Sequence, residues 1–210
     1  MRLTACCLAW ACGWIVLAGC QSQVGTQNRE TRPDAETPAP APAAAKGAKP
    51  MTIELNSSAF QEGAKIPKKY TGEGQDLSPP LAWSGLPGGT RELALICDDP
   101  DAPTPEPWVH WVLYKIPPTM AALPEGLPKT PTLKEPPGAV QGKNSWTSGQ
   151  TIGYRGPLPP PKSGPHRYFF KLYALDAALD LAPGATKAAL WKAISGHVLA
   201  EGRLIGAYER

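Results

Sequence analysis

Twenty-six prolines and 21 glycines run through these 210 residues, so more than one position in five interrupts regular structure. Proline lacks an amide proton and clashes with the preceding helical turn, so this density argues against a helical bundle. The content falls just below the roughly 25% that marks low-complexity chains. Seven tryptophans and 42% hydrophobic residues leave ample core material, which argues against a fibre or a fully disordered chain. The length fits one domain, alone or with a tail. A formal charge of +3, from 21 basic and 18 acidic residues, is too slight to predict a nucleic-acid partner.

The first twenty residues read as an address. Arg2 supplies one positive charge and residues 5–18 are apolar. That run is shorter than the roughly 20 residues a bilayer span needs, and it fits the core of a secretory signal. Leu17-Ala18-Gly19-Cys20 resembles the lipobox of bacterial lipoproteins, in which the signal is cut before a cysteine that then carries acyl chains. The other reading is an ordinary signal cut near Gly19. Gln21, in place of aspartate, favours the outer membrane of a diderm host by that resemblance. The expected location is therefore the cell envelope, on the extracytoplasmic side, with the membrane reached through a lipid on Cys20. Cys6, Cys7 and Cys12 leave with the signal, so Cys97 remains without an intramolecular partner. Its apolar neighbours Leu95 and Ile96 predict a buried, inert thiol.

Three segments follow from composition: a signal peptide at 1–19, a tether at 20–50 and a domain at 51–210. The tether has no aromatic residue and carries Pro38-Ala39-Pro40-Ala41-Pro42, which favours extended polyproline II and cannot build a core. From Met51 onward, strand-length apolar runs at 91–98, 108–116 and 167–175 alternate with Pro/Gly clusters such as Ser78-Pro79-Pro80 and Pro159-Pro160-Pro161. This pattern predicts a mainly antiparallel β domain. One helix is predicted over 187–199, with Thr186 as its N-cap and Leu190, Ile194 and Val198 at helical spacing. Gly202 and Gly206 are expected to break whatever follows.

Three segments carry candidate chemistry. Asp98-Asp99-Pro100-Asp101 places three carboxylates at a strand end, where they repel one another unless donors face them; a solvated acidic turn is the simpler reading. In Trp108-Val109-His110-Trp111-Val112-Leu113-Tyr114, alternation puts His110, Val112 and Tyr114 on one face and Val109, Trp111 and Leu113 on the other. His166 and Tyr168 share a face at the start of a third strand. If the three strands are neighbours, Asp99, His110, His166 and Tyr168 converge on one cavity whose imidazoles and phenol suit an anion. A satisfied core histidine is the plain alternative for His110. His197 is read as a helix-end residue outside the site. Trp83, Trp111, Trp146 and Trp191 are read as core and loop anchors.

Taken in order, these segments resemble the phosphatidylethanolamine-binding protein family. The resemblance rests on Asp76-Leu77-Ser78-Pro79-Pro80, Asp99-Pro100-Asp101-Ala102-Pro103, Trp108-Val109-His110-Trp111, Gly142-Lys143-Asn144-Ser145-Trp146, Gly153-Tyr154-Arg155-Gly156-Pro157 and His166-Arg167-Tyr168. It covers 51–210 and implies a central antiparallel sheet, a second small sheet and a helix near the C-terminus. It also implies a shallow pocket for phosphate, acetate or a phospholipid head group. By that resemblance Asp99 and His110 are the pocket acid and first histidine, and His166 and Tyr168 complete the polar set. Trp108 and Pro103 are wall residues, and Gly156 is a loop glycine whose backbone approaches the anion. Tyr154, where some relatives carry glycine, is expected to narrow the mouth, and Tyr208 to cover it.

Three functions compete. The favoured one is a tethered binding module for an anion or phospholipid head group, without enzymatic activity. The second is an inhibitor or regulator of a protease or other enzyme, which would make another protein a partner. The third is a phosphoester hydrolase using Asp99, His110 and His166. No cofactor is expected, and no spacing demands a metal. No phosphate-cradling G-x-x-x-x-G-K-[ST] run occurs, which argues against a nucleotide hydrolase.

Overall fold

The computed structural model describes residues 51–210. The signal, Cys20 and tether readings lie outside the described residues. Nine strands and one helix organise the rest: β1 (Met51–Thr52), β2 (Glu54–Asn56), β3 (Leu81–Ser84), β4 (Glu92–Asp99), β5 (Trp108–Ile116), β6 (Ala122–Leu123), β7 (Val140–Gln141), β8 (His166–Leu175), α1 (Lys187–Ile194) and β9 (Val198–Tyr208). The larger sheet runs β1-β9-β8-β4-β5-β7 and the smaller one β2-β3-β6. Only the β1–β9 pair is parallel among them. The expected fold, a central and mainly antiparallel sheet with a second small sheet and a late helix, is the one observed.

Strand β4 is central, and all eight of its residues are buried. One face, carrying Leu93, Leu95 and Cys97, packs on Ile53, Leu55, Leu81 and Trp83 around the small sheet. The other, carrying Ala94 and Ile96, lies with Tyr173 and Leu175 beneath Leu190 and Ile194 of α1. A strand covered on both faces reads as a continuous apolar run, which is why β4 stands out in the sequence. Burial pushes the Cys97 thiol well above its ordinary range, with the Asp98 charge adding to the shift, as an inert cysteine requires.

Two corrections concern the C-terminal segment. The helix stops at Ile194, and Gly196 then takes a positive φ of 85° that turns the chain into β9. Thr186 does cap the helix, accepting from the Ala189 amide at 3.2 Å. Gly202 and Gly206 do not break structure: both lie inside the eleven-residue strand β9. A Cβ on Gly202 would meet the Ile53 carbonyl oxygen at 2.6 Å, and one on Gly206 would meet Ile66 at 2.4 Å. These glycines let the first strands and the 60–66 segment close against β9.

A bulge in β5, against the strict alternation expected, positions the site. Cys97 pairs with Trp111, but Asp98 pairs with Val109, so His110 is an extra residue in β5. Such a bulge breaks strict alternation and re-aims a side chain. Val109 therefore packs on the helix side with Val112 and Tyr114, not with Trp111 and Leu113. His110 leaves the Val112 face and meets the Tyr168 ring at 5.0 Å, edge to face.

Candidate functional site

Strands β4, β5 and β8 end together, and a cavity of about 230 Å³ opens there. Asp99, Pro103, Trp108, His110, His166 and Tyr168 all line it. The register explains the meeting. Asp98 sits opposite Phe169 in β8, and Asp99 sits opposite Trp108 in β5. Side chains at 99, 166 and 168 thus share the sheet face to which the bulge turns His110.

The acidic segment is not a solvated turn, because each carboxylate has its own partners. Asp98 is buried on the helix side between Lys171 at 2.7 Å and Lys187 at 2.5 Å, tying β8 and α1 to β4. Asp101 receives the Arg167 guanidinium through two nitrogens at 2.8 Å and the Arg167 amide at 2.9 Å. That fork holds the Asp101 carboxyl below its ordinary range. Asp99 accepts the Asp101 amide at 2.8 Å and the His166 Nδ1 proton at 2.7 Å. The other ring nitrogen, Nε2, lies 3.0 Å from Ser163 Oγ. A buried carboxylate thereby orients the imidazole.

His110 is held differently. Its Nδ1 proton goes to the Arg155 carbonyl at 2.6 Å. Burial pushes its pKa down to about 4, with that carbonyl and Asp99 opposing the shift. The ring is therefore neutral near pH 7, and Nε2 is a lone-pair acceptor. Tyr168 supplies the complementary group: its hydroxyl is buried and has no hydrogen-bond partner. Burial, and next the Asp99 charge, pushes the phenol far up, so it remains a donor. An unpaired hydroxyl in a folded interior costs about 1–3 kcal/mol, which a ligand oxygen accepting from it beside Asp99 would recover.

Several expected residues stand elsewhere. Gly156 does not line the cavity; its amide is taken by Asp76 Oδ1 at 2.6 Å, so it is not offered to an anion. Its lack of a side chain serves packing, since a Cβ there would meet the Tyr70 carbonyl oxygen at 2.2 Å. Tyr154 does not narrow the mouth: it is buried against Trp111 and donates to the Tyr70 carbonyl at 2.8 Å. Tyr208 does not cover the opening; it is buried, and its hydroxyl donates to Glu73 at 2.6 Å. His197 stands after the helix and contacts Asp176 at 2.9 Å, away from the cavity.

Trp146 is the wall residue that sequence reasoning missed. Its ring meets Trp108 at 5.4 Å and His110 at 5.1 Å, both edge-on, while the Arg155 guanidinium lies 4.4 Å from its centre. The signal was Arg155 two residues after Gly153 and a tryptophan after Asn144-Ser145, but only the fold brings them together. Trp146 also borders a broader groove of about 990 Å³ beside α1, where Trp191 is 53% exposed and is no core anchor. Among the described residues no group of three or more His, Cys, Asp or Glu side chains is arranged to hold a metal ion.

This geometry coincides with a family assignment. The family model for phosphatidylethanolamine-binding proteins matches residues 56–209. A UPF0098 protein of Methanothermobacter thermautotrophicus is 53% identical over 158 residues, covering 75% of this chain and 99% of the relative. A crystal structure of a phosphatidylethanolamine-binding protein homologue from Chlamydia trachomatis superposes with a TM-score of 0.66 at 40% identity, covering 76% of this chain and 98% of that one. Escherichia coli YbcL, described as a member of the mammalian family, gives a TM-score of 0.69 at 32% identity, with 75% and 98% covered. The chain belongs to the phosphatidylethanolamine-binding protein family.

Proposed function

We propose that the cavity binds a small oxyanion, free or as a phospholipid head group, in a domain tethered to the extracytoplasmic face of a membrane through Cys20. The Leu17–Cys20 motif and the Pro/Ala-rich stretch support the tether; the cavity supports the ligand. The observation that carries the reading is the Tyr168 hydroxyl, buried without a protein partner beside the neutral His110 ring. One group donates and the other accepts. A phosphate monoanion or a carboxyl group matches both, since one oxygen accepts from Tyr168 and one shared proton lies toward His110 Nε2. A fully ionised ligand draws that proton from solvent, so its binding strengthens as pH falls toward the His110 pKa.

Net charge plays little part, because Asp99 and His166 already satisfy each other at the back of the cavity. Trp108 and Trp146 exclude water from the front and raise the worth of each polar contact. The test is phosphate or glycerophosphoethanolamine titration followed by the imidazole resonances of His110 and His166. Saturable movement of the His110 signals is expected, with proton uptake when the ligand is fully ionised. Signals that stay still throughout the titration would remove the proposal.

A further inference from the structure

Asp99 and His166 at the back of the cavity stand in line with Ser163, which lies outside the cavity lining. Ser163 Oγ lies 3.0 Å from His166 Nε2, and His166 Nδ1 lies 2.7 Å from Asp99 Oδ2. Asp99 is itself fixed by the Asp101 amide at 2.8 Å. A hydroxyl within reach of an imidazole that is oriented by a buried carboxylate is the arrangement that activates a serine, whatever the fold or the chain order. The flanks of Ser163 add to this. Lys162 has a φ of 65° and Gly164 one of 83°, so the serine projects from a tight turn, and the Lys162 amide pins that turn to the Arg210 carbonyl at 3.1 Å. A left-handed backbone is costly for lysine, and such strain gathers where a side chain must be presented. Ser163 is exposed, whereas His166 is buried, so the base is sheltered while the nucleophile is open to solvent.

We propose that these residues form a hydrolytic triad acting on carboxylic esters. The Ser163 hydroxyl has two acceptors in reach, the Pro160 carbonyl at 2.8 Å and His166 Nε2 at 3.0 Å. Rotation of one O–H aims its proton at Nε2 of the imidazole whose Nδ1 proton is held by Asp99. Ser163 Oγ then bonds to the ester carbonyl carbon as its proton moves to His166 Nε2. The tetrahedral intermediate collapses, the bond to the alcohol oxygen breaks, and Nε2 returns the proton to that leaving oxygen. Water attacks the acyl carbon next, losing a proton to Nε2. Ser163 Oγ departs and recovers it, so one water is consumed and an acid and an alcohol are released. Tyr168, whose hydroxyl has no protein partner, lines the same cavity as His166.

The test is a fluorophosphonate probe, which transfers its phosphonyl group to an activated serine with loss of fluoride, read by intact mass and peptide mapping. p-Nitrophenyl acetate turnover is followed in parallel. One adduct per chain is expected, mapped to Ser163. Ser163→Ala should abolish it and lower ester turnover by about 100-fold or more. His166→Asn should stop labelling although the serine remains, which an unactivated surface hydroxyl would not show. Near-UV circular dichroism of both variants confirms that the fold is kept. No adduct on the native chain, an adduct that survives Ser163→Ala, or ester turnover unchanged in that variant would overturn the proposal.

Discussion

The Nδ1 proton of His110 is donated to the Arg155 backbone carbonyl at 2.6 Å, and this one bond fixes which nitrogen faces the cavity. It also leaves the ring neutral, its pKa pushed down from 6.5 to about 4 by burial. Between these values the unfolded chain holds a proton that the folded chain lacks. Ligand-free stability should therefore rise by about 3 kcal/mol as pH increases from about 4 to 6.5, then level off with respect to this group. Urea midpoints across that range check this. His110→Gln, which keeps a donor for the carbonyl, should flatten most of the slope.

Tyr168→Phe separates ligand binding from folding. The hydroxyl has no protein partner to lose, so the ligand-free variant should be no less stable than the native chain. Phosphate affinity should nevertheless fall by about 10-fold or more, the worth of a charge-assisted hydrogen bond. Thermal melts with and without phosphate read both effects.

Gly156→Ala should act through packing and not through the ligand. Its Cβ would lie 2.2 Å from the Tyr70 carbonyl oxygen and 2.7 Å from Thr71 Cα, backbone atoms that cannot rotate away. A loss of about 2–4 kcal/mol in denaturant unfolding is expected. Gly202→Ala should behave in the same way against Ile53.

Asp98 links two elements through two lysines, each about one third exposed or less. Removing the carboxylate in Asp98→Ala leaves both cations facing a buried gap and should cost about 2 kcal/mol, less than for a fully buried pair because water reaches the lysines. Lys187→Met should cost about 1 kcal/mol at most, since Lys171 keeps Asp98 paired. Chemical denaturation of the two variants and their double mutant measures the coupling.

Much of the fold was legible because β4, most of β5 and the second half of β8 are covered on both faces and read as apolar runs between Pro/Gly loops. The polar cavity residues Asp99, His110, His166 and Tyr168 were legible for a related reason: they sit near strand ends, where polar groups interrupt those runs, whereas Trp108 and Pro103 came only from the family resemblance. What escaped depended on contacts between distant segments. Strict alternation gave His110 the wrong face, since a bulge is set by pairing with Cys97 and Asp98 and leaves no local mark. Gly202 and Gly206 looked like breakers because the crowding by Ile53 and Ile66 exists only after folding. Gly156 looked like an anion contact, yet its amide was already claimed by Asp76, 80 residues away. Trp146 was read as an anchor because only the fold brings its ring to Trp108, His110 and Arg155.

Capture of an oxyanion by the Tyr168–His110 wall, as proposed, would be reported directly by Trp108 and Trp146, because both rings line the cavity. The decisive measurement is tryptophan fluorescence of protein purified without phosphate or acetate, titrated with phosphate at fixed ionic strength. A saturable change is expected in the native chain, weakened by about 10-fold or more in Tyr168→Phe. A response that never saturates, or one of equal midpoint in the two proteins, would contradict it.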